Sequence, residues 1–409
     1  MKILVLNSGS SSQKSRLYEI GDTLPQHPPQ PLWDAKIEWK GGSAEVEVRS
    51  AEGAAFHDRV KIESRHQALE HLLHALWDGR GAAIAKRAEI GVVGHRIVHG
   101  GGRFDQPAVV TAEVKRAIAS VSEFAPLHNR AELEGIEIIE KLLGTVPQVA
   151  VFDTGFHHNL PLPAAVYPGP YAWFERGIRR YGFHGINHQY CAERAAQLLR
   201  KEPASLRLVS CHLGNGCSLA AIDGGKSVDT TMGFTPLEGL MMGTRSGTVD
   251  PAILTYLMRQ DGATADQIDD GLNEESGLLG ISGVSSDMRQ ILEAMKGGNK
   301  RAQLAFDIFV HRLREGIGAM AADLGGMDAL IFTAGIGENS ADVRAAACKK
   351  LDFLGLKIDE SKNSGSPVDI DIASSDSRIR VLVIRAEEDW SVARSCWKLT
   401  RPASKAQPR

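Results

Sequence analysis

The stretch between Leu206 and Thr231 constrains the fold more than any other. A β-rich run, Leu206 to Cys211, turns through His212-Leu213-Gly214-Asn215-Gly216 into a second run, Cys217 to Ile222. Asp223-Gly224-Gly225 then leads into a third, Lys226 to Thr231. Short apolar runs separated by Asn-Gly and Asp-Gly-Gly predict successive antiparallel hairpins. Gly214, Asn215 and Gly216 permit φ > 0, so successive N–H groups of that turn can face one concavity and hold phosphate oxygens without a Walker lysine. Downstream, Gly243-Thr244-Arg245-Ser246-Gly247 sets one guanidinium between glycines, which also suits an anion.

The chain opens with the same pattern. Lys2 to Leu6 reads as a buried strand, Asn7 to Ser12 as a polar turn, and Gln13 to Ile20 as a second strand. Two such hairpins, about 200 residues apart, predict a structural duplication with one hairpin in each half, although no residue-level repeat accompanies them. A length of 409 residues fits two or three domains at about 150 residues each.

Other elements follow in order. Trp33 to Ser50 alternates as edge-like strands, His66 to Trp77 has helical apolar spacing, and Ile90 to Val98 is a strand. Helices at Thr111 to Phe124 and Arg130 to Leu143 flank Ala125-Pro126-Leu127-His128-Asn129. The strand Gln148 to Phe152 ends in Asp153-Thr154-Gly155, a carboxylate placed either to approach a metal-bound phosphate or to cap a helix. Helices at Pro251 to Arg259, Asp287 to Met295 and Arg301 to Leu324 precede the strand Ala329 to Thr333, which runs into a glycine turn, Ala334 to Asn339. After the strand Val381 to Arg385, Glu387-Glu388-Asp389 caps a last helix. Repeated strand, glycine loop and helix units predict α/β with mixed sheets.

A net charge of -3 leaves no footprint for nucleic acid, so any anion site must be a local cluster and its ligand small. Five scattered cysteines without CxxC spacing favour free thiols in a reducing compartment. Cys211 and Cys217 are either partners across the hairpin or two small core residues. The first strand is interrupted by Asn7-Ser8-Gly9 before a signal-peptide core forms, and no apolar run reaches a membrane span of about 18 residues. A cytoplasmic protein with no membrane or nucleic-acid partner is the expectation.

Several motifs fail on inspection. Gly225-Lys226-Ser227 lacks the first glycine of a Walker loop, and Gly335-x-Gly337 lacks the third glycine of a dinucleotide fingerprint. His95 with His99, and His184 with His188, have metal-ligand spacing but no glutamate after the first histidine, so hydrogen-bonded or catalytic imidazoles are expected over zinc. What remains is Asn7, Ser10, Ser12, Lys14, Arg96, Arg245, His128, His184, His212, Asp153 and Glu388 among glycine turns. Guanidiniums that neutralise equatorial oxygens, N–H groups that hold phosphates and a carboxylate that positions Mg²⁺ are the parts phosphoryl transfer requires.

The motifs VLNSGSSSQK, GHRIVHGG, APLHN, VFDTGFH, RRYGFHG, HLGNG, DTTMGFTPLEGLMMGTRSG, GLLGISGVSSDMR and FTAGIGENS together resemble the acetate kinase family. The resemblance runs in order from residue 3 to about residue 395. It implies two actin-like, ribonuclease-H-type domains around a central cleft: residues 1–153 with 390–409 on the carboxylate side, and residues 154–389 binding nucleotide and forming a dimer interface. It also implies a homodimer, with Mg²⁺ or Mn²⁺ as cofactor and ATP/ADP and acetate/acetyl phosphate as substrates.

Carried over residue by residue, the resemblance gives Asn7 and Glu388 to the metal, and Ser10, Ser12 and Lys14 to the first-domain loop on the nucleotide. Arg96 and Arg245 resemble the pair that binds substrate and stabilises the transferring group, with His184, His128 and Asp153 beside them. His212, Gly214, Asn215 and Gly216 match the nucleotide-phosphate turn. Asp287, Met288, Arg289, Gly335, Ile336, Gly337 and Asn339 match the adenosine pocket. Val98, Leu127, Phe183 and Pro236 resemble an apolar acyl pocket, against ordinary core packing as the alternative.

The chain departs from the family at Gln13, Ser15, Arg130, Ile186-Asn187 and Thr248. At Ala386-Glu387-Glu388-Asp389 the alignment leaves either Glu388 or Glu387 as the metal-side acid. Reversible Mg-dependent transfer of the ATP γ-phosphate to acetate is the implied reaction. Propionate or butyrate kinase activity on the same scaffold, or a non-catalytic nucleotide-dependent clamp, are the alternatives.

Overall fold

A computed structural model describes residues 1–8, 12–40, 42–122, 126–365 and 367–401, and the side chains of Lys40, Pro126, Leu127 and His128 fall outside the description. The chain divides into two compact units, Met1–Gly155 with Glu387–Arg409, and Phe156–Ala386. Glu387, Glu388 and Asp389 thus go with the first unit rather than with the second, where the sequence analysis put them. Asp389 ties them there, by contacts to Asn7 and Arg16.

The first unit carries β1 (Lys2–Ser8), β2 (Ser12–Glu19), β3 (Trp33–Lys40), β4 (Ser43–Ser50), β5 (Ala55–Lys61), β6 (Ile90–Ile97), β7 (Ala108–Val109) and β8 (Gln148–Phe152). They form one sheet in the order β5-β4-β3-β2-β1-β6-β8-β7. β1 to β5 form an antiparallel meander, whereas β6 runs parallel to β1 and β8 parallel to β6. In β4 the period of two is plain: Ala44, Val46 and Val48 are buried while Glu45, Glu47 and Arg49 face water. β1 shows no such alternation, because both its faces are covered. Leu4 and Leu6 join a core with Leu69, Leu72 and Ile138, and Tyr18, the cross-strand neighbour of Ile3, sets its ring 5.8 Å from that of Trp390.

The second unit repeats this plan. β9 (Arg207–Leu213), β10 (Cys217–Asp223), β11 (Lys226–Thr230), β12 (Ala329–Thr333), β13 (Ile370–Asp371) and β14 (Arg380–Val383) lie in the order β11-β10-β9-β12-β14-β13. Again an antiparallel meander, β9 to β11, is followed by two strands parallel to its first member. Each sheet then ends on a two-residue antiparallel edge, β7 or β13. Both units are therefore α/β with mixed sheets, and the strand order itself is duplicated.

Several expectations are corrected. None of Gly214, Asn215 and Gly216 has positive φ; the turn closes instead by a Gly214 N–H bond to the Gly216 carbonyl at 3.1 Å. Ala334 to Asn339 is not a glycine turn before a helix but a short helix itself, and the left-handed residue there is Ala334 at φ 65°. By contrast the free-thiol expectation holds: Cys211 pairs with Leu219 and Cys217 with Leu213, and both cysteines are buried free thiols, the small core residues of the two sequence readings. The helix preceding β8 begins at Pro126 rather than Arg130, since a proline in the first turn has no N–H to lose. β5 and the helix Gly185–Leu199 were not anticipated.

Gly94 of β6 shows how tightly the returning helix Glu388–Thr400 is seated. A Cβ at Gly94 would stand 2.6 Å from both Cys396 Sγ and Val392 Cγ1. Gly94→Ala is expected to cost about 1–3 kcal/mol in urea unfolding, with part of that loss relieved by adding Cys396→Ala. A Gly94→Ala protein as stable as the parent would contradict this packing.

Candidate functional site

In the first unit the C-terminal ends of three parallel strands deliver polar groups to one place, the usual position for a ligand in an open α/β sheet. Asn7 is the penultimate residue of β1, Arg96 that of β6, and Asp153 follows β8 directly. The Arg96 guanidinium donates from Nη2 to Asp153 Oδ2 at 2.7 Å and from Nη1 to Asn7 Oδ1 at 3.4 Å. Its Nε lies 3.7 Å from Glu388 Oε2. Asn7 Nδ2 in turn donates to Asp389 Oδ1 at 3.1 Å, and Asp389 Oδ2 meets Arg16 Nη1 at 3.2 Å.

This cluster is drawn well out of water: the side chains of Arg96, Asp153 and Glu388 are 14%, 1% and 19% exposed. Burial alone would lower the Arg96 pKa, but Asp153, Glu388 and Glu132 outweigh it and hold the guanidinium charged. Burial raises the Glu388 carboxyl above its ordinary value; Asp153 and Asp389 add to the rise, and Arg96 and Lys14 oppose it. Glu388, not Glu387, is the acid beside Arg96.

The donors here are hard oxygens: the carboxylates of Glu388 and Asp153 and the Asn7 amide. A Mg²⁺ ion takes one or two carboxylates and keeps most of its water. Among the described residues no group of three or more His, Cys, Asp or Glu side chains is poised to cage a metal. The donor chemistry of this set fits a hydrated hard cation, whose charge would relieve crowded acids.

In the second unit, His184 precedes the helix Gly185–Leu199 in a left-handed conformation, φ 57° and ψ 21°, a costly state for a residue with a Cβ. Its Nδ1 is 2.9 Å from Ser218 Oγ, and its ring stacks on that of His212 at 3.9 Å and 9°. The Asn187 amide donates to His212 Nδ1 at 2.9 Å, which leaves the other ring nitrogen of His212 to carry the proton. Ser218 and Ser210 flank His188, whose pKa burial drives well below its ordinary value. A Cβ on Gly216 would stand 3.4 Å from the His184 ring and 3.6 Å from Arg245 Nη1. These are ordinary van der Waals separations, so a side chain there meets no clash; they show the His184 ring and the Arg245 guanidinium both lying beside Gly216. Arg245 also donates to the Pro236 carbonyl at 3.3 Å, and its pKa is lowered by burial, against the pull of Glu274.

A cavity of about 700 Å³ lies in the same unit, lined by Gly214, Asn215, Asp287, Met288, Arg289, Gly335, Ile336 and Asn339 among others. Gly335 has open space where a Cβ would go. Gly337 is buried below the cavity wall, and His212 and Gly216 lie outside its lining.

Of the remaining sequence-predicted residues, Lys14 pairs with Asn7 across β1 and β2, and Ser12 begins β2. Val98 is buried in the first unit, while Phe183 is buried and Pro236 half-buried in the second. Ser10 and the side chains of Leu127 and His128 lie outside the described residues.

Sequence reasoning missed three groups. Arg344 is fully buried and donates to the carbonyls of Gly337 and Glu338 at 2.9 and 2.8 Å and to Asn363, so it fixes the short helix on the cavity wall. Asn187 orients His212. Glu132, only 2% exposed, accepts the Val98 N–H. In sequence each resembles an ordinary helix-surface residue.

Burial lifts the Glu132 carboxyl from 4.5 to about 8, against the Val98 N–H and Arg96. Between those values the folded state holds a proton that the unfolded chain releases, so this contribution to stability is full below the unfolded pKa and is lost as pH rises through the folded one. Glu132→Gln is therefore expected to gain stability relative to the parent as pH rises from about 5 to about 9, read as the difference in thermal midpoints. A difference independent of pH would show that Glu132 does not titrate in this way.

The sequence model of the Acetokinase family matches residues 2–394. An acetate kinase from Nostoc sp. is 59% identical over 404 residues, covering 98% of this chain and 100% of that relative. The crystal structure of Porphyromonas gingivalis acetate kinase superposes with a TM-score of 0.90 at 39% identity, covering 98% of this chain and 100% of its own. That of a propionate kinase from Francisella tularensis gives 0.89 at 38% identity, covering 97% and 99%. A match along nearly the whole chain, at identities this high, shows that the protein belongs to the acetokinase family.

Proposed function

We propose that this protein is an acetate kinase, transferring the γ-phosphoryl group of ATP to acetate reversibly to give acetyl phosphate and ADP. The observation that carries the reading is the near-full-length similarity to curated acetate kinases, and the buried Arg96–Asp153 cluster supports it. A carboxylate oxygen of acetate forms the new O–P bond in line, while the bond from phosphorus to the β–γ bridging oxygen breaks and ADP leaves with the electron pair. Acetate is already ionised at neutral pH, so no general base is needed.

Each unit has its part in this scheme. From the first, Arg96 binds the acceptor and neutralises charge on the transferring group, and Asp153 holds the guanidinium in orientation. From the second, Arg245 and a proton on the His184 imidazole, which lie together beside Gly216, do the same. By family match, Val98 and Leu127 in the first unit and Phe183 and Pro236 in the second are the apolar residues assigned to the acyl methyl group, with His128 as a further imidazole. The cavity lined by Asp287, Gly335 and Asn339 takes adenosine, His212 and the Gly214–Gly216 turn take its phosphates, and Ser10, Ser12 and Lys14 are the family-matched nucleotide residues of the first unit. Asn7 and Glu388 would hold Mg²⁺, or Mn²⁺, which supplies charge neutralisation on the β- and γ-phosphates.

Two further features belong to this reading. The helix Pro251–Gln260 buries none of its residues and leaves Ile253, Tyr256 and Met258 exposed, an apolar face suited to a second copy of the chain in a homodimer. All five cysteines are free, in keeping with the reducing cytoplasm, and no helix among the described residues is long and apolar enough to cross a membrane. A propionate kinase remains the second reading, because a solved propionate kinase is nearly as similar in structure as the acetate kinase.

Acyl-hydroxamate formation from ATP with acetate, propionate, butyrate or no acid tests this directly. The expected result is the highest kcat/KM with acetate and no product without acid, with Arg245→Ala lowering kcat by about a hundredfold or more. Preference for propionate would overturn the acetate assignment, and no product with any acid would overturn the kinase reading.

A further inference from the structure

The end of β6 is held by side chains rather than by the sheet. Beyond Ile97 the N–H of Val98 donates to both carboxyl oxygens of Glu132, at 3.2 and 3.0 Å. The N–H of His99 donates to Asn129 Oδ1 at 3.2 Å, Asn129 Nδ2 returns a bond to the His99 carbonyl at 3.0 Å, and the Gly100 N–H donates to Thr154 Oγ1 at 3.1 Å. Three successive buried N–H groups thus depend on side-chain acceptors, two of them from the helix Pro126–Leu143. Of these acceptors only Glu132 carries an ionisable group, and the residue it grips, Val98, is two residues along the backbone from Arg96.

We propose that Glu132 is a positioning residue for the acyl acceptor: by accepting the Val98 N–H it fixes the strand end that presents Arg96 and Val98. The inference rests on the acyl-kinase reading of those two residues. Glu132 works by reach and not by charge. Its elevated pKa keeps much of it protonated near neutrality, and a neutral carboxyl still offers a carbonyl oxygen to the N–H. A shift of the strand end by a fraction of an ångström is enough to spoil alignment of a reacting carboxylate. ATP, held by other elements, would be little affected.

The test compares Glu132→Gln, Glu132→Asp and Glu132→Ala by hydroxamate kinetics with acetate and ATP varied separately, together with thermal unfolding. Gln retains an oxygen at the same reach, whereas Asp is a methylene short and Ala offers nothing. Acetate kcat/KM is expected to stay within about threefold of the parent for Gln and to fall about tenfold or more for Asp and Ala. The KM for ATP should remain within about twofold throughout. Parental acetate kinetics in Asp and Ala would overturn the proposal, and so would equal losses toward acetate and ATP, which mark a merely structural role. Activity kept by Asp but lost in Gln would overturn it in favour of a charge effect. If Ala does not fold, the order of Gln and Asp decides. A parent inactive on every acid would overturn the kinase reading itself, whereas an active parent with an unaffected Asp variant overturns only the role of Glu132.

Discussion

Arg96 is a guanidinium taken largely out of water, and much of the first unit is arranged to make that tolerable. An unpaired buried charge is prohibitively costly, and an ion pair offsets the loss of hydration only when its geometry is good and its remaining hydrogen bonds are met. Asp153 supplies the close partner at 2.7 Å, Asn7 a neutral acceptor and Glu388 a looser second acid. Such a pair adds little to stability compared with an apolar core of the same volume. Its value lies in a fixed, charged fork at a place where a small anion can be met without reorganisation.

The duplicated sheet accounts for the supply of these groups. In each unit an antiparallel pair precedes two strands parallel to its first member, so the C-terminal ends of those three strands fall at one end of the sheet. The first unit uses that end for side-chain charge: Asn7, Arg96 and Asp153. The second uses it for imidazoles and glycine, with His212 on β9 and Gly216 in the turn. Side-chain support comes from helices in both cases, by Glu132 on Val98 and by Asn187 on His212.

Legibility in the sequence followed signal strength. The hairpins were readable because Asn-Gly and Asp-Gly-Gly separate short apolar runs, and the parallel strands because each is a compact apolar run ending in polar residues. β5 was not, since Ala55–Lys61 is an edge strand with mostly exposed residues and no buried face to impose a pattern. The helix Gly185–Leu199 begins after a left-handed histidine with no capping hydroxyl or carboxylate bond, so no start signal announces it. The Gly214–Gly216 turn stood out for its freedom to take positive φ, which none of its residues uses; that Gly216 lies beside His184 and Arg245 is set by the packing of distant segments, which no local pattern encodes. Glu132 and Arg344 could not have been found, because their roles exist only once the helix carrying each has packed.

The central claim is that Asp153 acts through Arg96, as one charged unit at the strand ends. A double-mutant cycle on acetate kcat/KM with Arg96→Ala, Asp153→Ala and the double variant measures that coupling directly. Each single change is expected to cost about a hundredfold or more, with the double variant close to the worse single one. Losses that multiply would show two independent contributions and contradict the account.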